Sequence, residues 1–192
     1  MPVARTPLLT PRLLLRPYEA ADAADFFAVL EAGRTHRLLA SFPDRLQAVP
    51  TPAAATSQLA AFADDWHTGR FYVLGIWLRA TGTYLGDICL MPQRGGQAEI
   101  GYYLAAEAEG HGYAREALQA VVAFGLEVVG AQRLLIRCFA DNLRGQAVAQ
   151  ALGFALATPP PRLLPWLRLP LRAAPAALPP ILHFVRAAFS SA

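Results

Sequence analysis

The chain has 192 residues, of which 55% are hydrophobic and 16% charged, with a formal net charge of +3 at pH 7. This length suits a single domain, and this composition excludes a disordered chain. No apolar run is long enough to cross a bilayer, so no membrane-spanning segment is expected. Residues 1–10 lack the sustained apolar run of an export signal, and a cytoplasmic location is therefore expected.

The apolar pattern of the first half predicts a strand, two helices and then three strands. In chain order these elements cover residues 13–18, 20–30, 56–67, 71–78, 84–91 and 98–104. A proline-rich segment at 43–52 predicts a loop between the two helices. Turns at Thr81-Gly82 and Gly95-Gly96 connect the last three strands, which predicts an antiparallel meander.

The second half begins with a glycine-rich corner, Gly110-His111-Gly112, that opens a long helix. The pattern predicts this helix to about residue 129, a strand at 133–139 and a helix at 142–152. Eight of the sixteen prolines then fall between residues 159 and 180, and only two terminal strands, at 167–171 and 181–185, fit the apolar pattern there. The chain shows no internal repeat, so residues 1–192 are predicted to form one domain with an atypical proline-rich part at 155–192.

The two cysteines, Cys89 and Cys138, each lie in an apolar run that is typical of a strand. No CxxC pair and no cluster of histidine and cysteine accompanies them, and the four histidines show no ligand spacing. We therefore expect reduced cysteines in the core and no metal site.

All of the positive charge comes from arginine, since the chain contains no lysine. Residues 142–192 hold five arginines and no acidic residue. Such a segment attracts anions, including the phosphates of a nucleotide cofactor. Direct nucleic-acid binding is not expected, because the arginines are not interleaved with stacking aromatic residues.

The glycine-rich corner has the physical properties of an anion site. It joins the strand that ends at Leu104 to the long helix, whose unpaired N–H groups and dipole point into the loop. Gly110 and Gly112 allow the backbone to come close to a bound group, and a diphosphate would fit. Two glycines before a helix also occur in ordinary tight turns, so this motif alone does not decide between the two interpretations.

Further motifs favour the binding interpretation. The stretches 98–104 and 110–118 resemble the acetyl-CoA motif of the GNAT N-acetyltransferase superfamily, in particular its RimJ and RimL branch of ribosomal-protein N-terminal acetyltransferases. Asn142, Val148 and Leu152-Gly153-Phe154 resemble the last helix and following strand of that family, and residues 10–17 resemble its first strand. The resemblance covers about residues 8–155.

The resemblance implies an α+β fold, the GNAT fold. Its central sheet of about seven strands is mostly antiparallel and is flanked by about four helices. The sheet is split at strands 4 and 5, between the strand that ends at Leu104 and the strand that starts at Arg133. One molecule of acetyl-CoA is implied as co-substrate, with its pantetheine arm in the split, and no metal is implied.

The resemblance also implies which residues hold acetyl-CoA. Backbone groups around Tyr102, Tyr103 and Leu104 would pair with the pantetheine arm, and Asn142 would lie near it. The diphosphate would bind the segment Gly110, His111, Gly112, Tyr113, Ala114 and Arg115. Two alternatives stay open, since Arg115 also suits a solvated helix residue paired with nearby acids, and Asn142 also suits a helix N-cap.

For catalysis, the resemblance places a carboxylate at Glu99 as the general base that takes the ammonium proton. The alternative is a solvated carboxylate at the strand edge. A backbone N–H near Tyr102 or Tyr103 is the natural donor to the oxyanion. Gly145 and Ala149 stand where many family members carry a serine and a tyrosine, so the usual general acid is missing, and Tyr102, Tyr103 and Tyr113 are the substitutes considered.

These features predict an N-acetyltransferase whose acceptor is a protein N-terminus or a small-molecule amine. The alternative is a catalytically silent CoA-binding or regulatory module that keeps the fold without the acid. Glu107 and Glu109 lie beside the expected diphosphate and count against tight binding. The aromatic residues near the expected acceptor pocket, Phe42, Trp66 and Tyr72, are more simply explained as core packing. A homodimer through an exposed final strand is a further hypothesis.

Overall fold

The computed structural model describes residues 3–33, 49–157 and 180–188. Eight strands and four α-helices lie in these ranges. The strands are β1 (Leu8–Leu9), β2 (Leu13–Arg16), β3 (Tyr72–Leu78), β4 (Tyr84–Pro92), β5 (Gln97–Leu104), β6 (Arg133–Phe139), β7 (Ala155–Leu156) and β8 (Ile181–Ala187). The helices are α1 (Ala23–Gly33), α2 (Pro52–Thr68), α3 (Tyr113–Ala123) and α4 (Leu143–Ala151).

One sheet contains all eight strands, in the order β1-β2-β3-β4-β5-β6-β8-β7. Neighbouring strands are antiparallel except β5 and β6, which are parallel. The prediction of a mostly antiparallel α+β sheet is confirmed. Two of the eight strands, β1 and β7, have only two residues each and were not expected, because a period of two cannot be recognised in so short a segment.

The sheet splits between β5 and β6. Their pairing starts at Gln97 with Arg133 and ends at Ile100 with Ile136. Beyond that point, residues 101–104 pair with β4 only, and residues 137–139 pair with β8 only. Because backbone groups of a strand point alternately to its two sides, half of those in residues 101–104 face the split. The predicted split is confirmed. It was predicted between strands 4 and 5, and these are β5 and β6 in the structure because the unexpected strand β1 precedes them.

Apolar side chains cover both faces of the sheet. On one face, Leu118 and Val121 of α3 and Ala149 of α4 pack against strand residues. On the other face, Phe26 of α1 and Leu59 of α2 pack in a second cluster. Trp66 and Tyr72 are buried in the first cluster, in line with the expectation of core packing. Both cysteines are free and buried, also as expected.

Helix α2 begins four residues earlier than the predicted start at residue 56. Thr51 is its N-cap, and the Thr51 hydroxyl accepts a hydrogen bond from the N–H of Ala54 at 3.2 Å. Pro52 occupies the first turn, where proline is favourable because that turn needs no N–H donor. The expectation that Pro52 belongs to a loop was therefore wrong.

The remaining elements agree with the prediction to within three residues. The strand at 133–139 has the predicted bounds, and the final turn of the α3 region, Phe124–Val128, is π-helical. The predicted loop at 43–48, the possible strand at 167–171 and Phe42 fall outside the described residues. The single domain over residues 1–192, the homodimer and the cytoplasmic location stay predictions.

Candidate functional site

A cavity of about 490 Å³ occupies the split between β5 and β6. Its walls come from β4, β5, the loop before α3, the first turn of α3, β6 and α4. Of the predicted site residues it is lined by Glu99, Tyr102, Tyr103, Leu104, Gly110, Gly112, Tyr113, Ala114, Arg115 and Asn142. The structure thus brings together in one cavity all but one of the residues that the sequence singled out.

The exception is His111, whose side chain lies outside the cavity lining. Its ring stacks on Tyr113 with centroids 5.5 Å apart, and its Nδ1 lies 2.8 Å from the carbonyl oxygen of Glu109. Its backbone carbonyl accepts a hydrogen bond from Nη1 of Arg12 at 3.0 Å. His111 therefore contributes to the shape of the corner, and its ring does not face the cavity.

The first turn of α3 presents free donors at one end of the cavity. The first helical hydrogen bond runs from the N–H of Glu116 to the carbonyl of Gly112, which leaves the N–H groups of Tyr113, Ala114 and Arg115 ahead of it. Gly112 is the N-cap and offers no capping side chain. Its φ of 79° lies in the left-handed region, which favours glycine. This is the backbone arrangement that binds anions.

Glu116 connects this corner to the residues just before β2 by hydrogen bonds and an ion pair. Its Oε1 accepts hydrogen bonds from the Thr10 hydroxyl at 2.6 Å and from the N–H of Arg12 at 2.8 Å. Its Oε2 pairs with Nε of Arg12 at 2.7 Å, and the Arg12 guanidinium lies 4.7 Å above the ring of Tyr113. Burial alone would raise the pKa of Glu116, but the hydrogen bonds from Thr10 and Arg12 lower it. These contacts of Glu116 with Thr10 and Arg12 could not be predicted from the sequence, because they join residues more than 100 positions apart.

The charges around the corner differ from the expectation. Arg115 is an exposed helix residue, as the alternative for it predicted, but it has no hydrogen bond or ion pair with any described residue, so it is not paired with nearby acids of the described parts of the chain. Glu109 pairs instead with Arg144 of α4 at 3.2 Å, and both residues line the cavity. One of the two carboxylates expected to repel a diphosphate is therefore neutralised, by an arginine that the sequence analysis did not single out.

At the start of α4, Asn142 does act as the N-cap, because its Oδ1 accepts a hydrogen bond from the N–H of Gly145 at 2.9 Å. It also lines the cavity, so the two roles considered for Asn142 are compatible. A Cβ on Gly145 would lie 2.8 Å from Nδ2 of Asn142 and 3.0 Å from Sγ of Cys138. A side chain at position 145 would therefore require the side chains of Asn142 and Cys138 to shift. Ala149 is fully buried and does not line the cavity.

Glu99 lies at the opposite end of the cavity from the α3 corner, where β5 and β6 are still paired. It is buried, and both of its carboxylate oxygens accept hydrogen bonds. Oε1 pairs with Nε of Arg137 on β6 at 2.5 Å, and Oε2 accepts from Nε2 of Gln93 at 3.1 Å. The alternative of a solvated carboxylate at the strand edge is therefore wrong. Arg137 also lines the cavity and was missed from the sequence.

Two tyrosines of the cavity, Tyr102 and Tyr103, keep their protons at neutral pH. Burial raises the pKa of Tyr102 to about 12, with a smaller contribution from Cys138. Burial first, and then the nearby Asp87, raise the pKa of Tyr103. Both phenols can donate hydrogen bonds, and neither is acidic enough to release its proton readily near pH 7.

Two classes of site are not found. Among residues 3–33, 49–157 and 180–188, no three histidine, cysteine or acidic side chains are grouped so that they could hold a metal ion. Within the same ranges, no helix is both long enough and apolar enough to span a bilayer.

Comparison with known proteins decides the family. Residues 12–155 match the sequence model of the family described as Acetyltransferase (GNAT) domain. The chain belongs to the GNAT acetyltransferase family. The resemblance seen in the motifs is confirmed, and with it an acetyl-CoA-dependent N-acetyltransferase rather than a silent module.

Individual GNAT proteins agree with this assignment. YoaA of Bacillus subtilis (strain 168), an uncharacterized N-acetyltransferase, is 29% identical over 149 residues, which are 77% of this chain and 81% of YoaA. RimL, a ribosomal L7/L12 alpha-N-protein acetyltransferase solved with coenzyme A, matches with a TM-score of 0.78 at 17% identity over 95% of this chain and 98% of RimL. The ribosomal-protein-S5-alanine acetyltransferase of Vibrio fischeri matches with a TM-score of 0.74 at 15% identity over 95% and 96% of the two chains. The two solved structures thus share the fold of this chain.

Proposed function

We propose that this GNAT enzyme binds acetyl-CoA in the split between β5 and β6 and transfers the acetyl group to the amine of a protein N-terminus, or alternatively of a small molecule. The observation that carries the proposal is the layout of one cavity, which has free helical N–H donors at the α3 end and a buried carboxylate, Glu99, at the other. An anion and a reacting amine are thereby assigned to opposite ends of the same cavity.

The α3 end suits the diphosphate of coenzyme A. The N–H groups of Tyr113, Ala114 and Arg115 would donate to phosphate oxygens, and the Arg115 side chain, which pairs with no described residue, would add a charge-assisted contact. From there the pantetheine arm would lie along residues 101–104, whose backbone groups on the split side lack a pairing strand. This direction brings the thioester toward Glu99.

Acetyl-CoA supplies a thioester carbonyl, which an uncharged amine attacks so that a C–N bond forms and the C–S bond breaks. Glu99 would take the proton that the ammonium must lose, directly or through water. Backbone N–H groups near Tyr102 that face the split would donate to the oxyanion. The Tyr102 hydroxyl would stabilise the departing thiolate by a hydrogen bond, since burial holds its pKa at about 12 and favours donation without loss of the proton.

A missing helical acid does not prevent this chemistry. A side chain at position 145 would require Asn142 and Cys138 to shift, so close packing favours glycine at this departure from the family pattern. A thiol ionises near pH 8.5, so a thiolate already leaves readily near neutral pH. RimL and the Vibrio fischeri enzyme are both named for ribosomal-protein acceptors, and this supports a protein N-terminus as the first acceptor to test.

The proposal is tested by calorimetric titration of acetyl-CoA into wild type and Gly112→Glu. The Cβ of the new side chain would lie 3.5 Å from Nη2 of Arg12, just before the first turn of α3, and the added negative charge at this corner is expected to weaken binding about 10- to 100-fold. Gly82→Glu is the matched control, because Gly82 has a similar φ of 70° in an exposed turn away from the cavity. Equal loss of binding in both variants, or no binding by wild type, would contradict the proposed site.

A further inference from the structure

Arg137 holds donors in the cavity that the proposed chemistry does not use. Its Nε is taken by Glu99, but its two Nη groups make no hydrogen bond to any residue within the described parts of the chain. The side chain is 21% exposed and lines the cavity, so these donors are neither sealed in the core nor fully in bulk water. A guanidinium presents its Nη edge in a rigid plane that suits carbonyl and carboxylate oxygens.

The neighbours of Arg137 leave this edge available. His183 lies opposite Arg137 in the pairing of β6 with β8, and burial first, then Arg137, lower the pKa of His183. His183 is therefore neutral at pH 7 and places no second positive charge beside Arg137. On this face the cavity wall carries the phenol of Tyr103. The other wall residues of this face are apolar or without a side chain, namely Cys89, Met91, Gly101 and Phe139.

The charged residues of the cavity fall into two groups. Glu109, Arg115 and Arg144 lie at the α3 end, which is assigned to the diphosphate. Glu99 and Arg137 form the other group, where the thioester would lie. An acceptor molecule at this end would lie next to both the Glu99 carboxylate and the Nη groups of Arg137. The complementary acceptor carries an amine next to an oxygen acceptor, because each group then has an opposite partner.

We propose that Arg137 is a specificity-determining residue that binds the oxygen of an α-amino acyl group, N–C–C=O, while Glu99 receives the proton from the amine. This rests on the proposed function and deepens it by naming the acceptor class. A polypeptide N-terminus and a free amino acid both carry this group, whereas a plain alkylamine does not. Arg137 therefore discriminates against alkylamines.

The experiment measures thiol release from acetyl-CoA by the full chain with four acceptors, namely alaninamide, an alanine-headed peptide, free alanine and isopropylamine. Isopropylamine keeps the amine-bearing carbon and replaces the carbonyl group by a methyl. Each kcat/KM is expressed per concentration of neutral amine, which removes the difference in amine basicity. Wild type is expected to prefer alaninamide or the peptide over isopropylamine by about 10- to 100-fold, the range for a hydrogen bond to a charged group.

The variants are Arg137→Gln, Arg137→Lys and the control Arg133→Gln. Arg133 is exposed on the same strand and does not line the cavity. Arg137→Gln is expected to reduce kcat/KM for α-amino acyl acceptors about 10- to 100-fold more than for isopropylamine, with Arg137→Lys intermediate and Arg133→Gln unchanged. Calorimetry with acetyl-CoA shows whether each variant keeps the folded cofactor site.

Each outcome decides the question. An equal loss with all acceptors would mean that Arg137 acts only by holding Glu99, and would overturn the inference. Equal use of isopropylamine and alaninamide by wild type would overturn it without any variant, and leave the acetyltransferase function intact. Binding of acetyl-CoA without transfer to any amine would overturn the proposed function itself. A preference for the peptide indicates a protein N-terminus, and a preference for alanine indicates a free amino acid.

Discussion

The stability of this protein is predicted to fall as pH rises from about 4 to about 7, because of Asp87 on β4. The Asp87 carboxyl is 2% exposed, and the Tyr18 hydroxyl donates to its Oδ2 at 3.5 Å. Burial raises the pKa of Asp87 from 3.8 to about 7, although the Tyr18 hydrogen bond opposes this rise. The ionisable groups of described residues that interact with it, Tyr18, Tyr84, Tyr103 and Cys89, include no cation that would favour the charged form.

The sign follows from proton binding. At pH values between the pKa of Asp87 in the unfolded chain and its pKa in the folded protein, the carboxyl is protonated in the folded state and ionised in the unfolded state. The free energy of unfolding therefore decreases as pH rises, until the carboxyl is ionised in both states. The difference between a pKa of about 7 and the ordinary 3.8 corresponds to about 4 kcal/mol in total, at about 1.36 kcal/mol per pKa unit. About 2.5 kcal/mol of this loss is expected between pH 5 and pH 8.

Asp87→Asn removes the titration and keeps the shape and an oxygen that can accept from Tyr18. Urea unfolding of wild type and variant at pH 5 and pH 8, followed by circular dichroism, gives the free energy of unfolding in each case. The free energy of unfolding of the variant, relative to that of wild type, is expected to rise by about 2.5 kcal/mol from pH 5 to pH 8. The contributions of the other titrating groups are the same in both proteins and cancel in this difference. The same difference between the two proteins at both pH values would refute the reasoning.

Three further predictions concern the corner and the helices. Gly145→Ser is expected to lower stability by about 1–3 kcal/mol without raising the rate of acetyl transfer, because its Cβ would lie 3.0 Å or less from Cys138 and Asn142. Ala151→Ser is the control, because Ala151 is exposed on the same helix and does not line the cavity. Glu116→Ala is expected to weaken acetyl-CoA binding several-fold in calorimetry, since the carboxylate that joins the corner to β2 is lost, and unchanged affinity would contradict this role. Thr51→Ala is expected to reduce the free energy of unfolding by about 1 kcal/mol in urea through loss of the α2 cap, and a neutral effect would show that this cap contributes little.

Local patterns were enough to predict most elements and the cofactor corner. The helical period of α3, the glycines before it and the alternation in β3 to β5 are all properties of short segments. The start of α2 was predicted wrongly because proline both ends loops and begins helices, and only the contact between Thr51 and Ala54 distinguishes the two cases.

The charged partners of the site could not be predicted in the same way. Glu99 was identified from its motif, but its partner Arg137 lies 38 residues later on a strand whose register is set by the whole sheet. The pair of Arg12 with Glu116 spans 104 residues, and a single sequence contains no signal that links such positions. Gly145 was read as the loss of an acid, whereas the structure shows a packing requirement from Cys138 and Asn142.

The central claim is that the cavity between β5 and β6 is an acetyl-transfer site with Glu99 as its proton acceptor. Its most direct test is the rate of thiol release from acetyl-CoA with an alanine-headed peptide, measured for wild type and Glu99→Gln at matched acetyl-CoA saturation. Wild type is expected to transfer the acetyl group, and Glu99→Gln is expected to have a kcat about 10²- to 10⁴-fold lower with acetyl-CoA affinity retained. Transfer by Glu99→Gln at the wild-type rate would contradict the central claim.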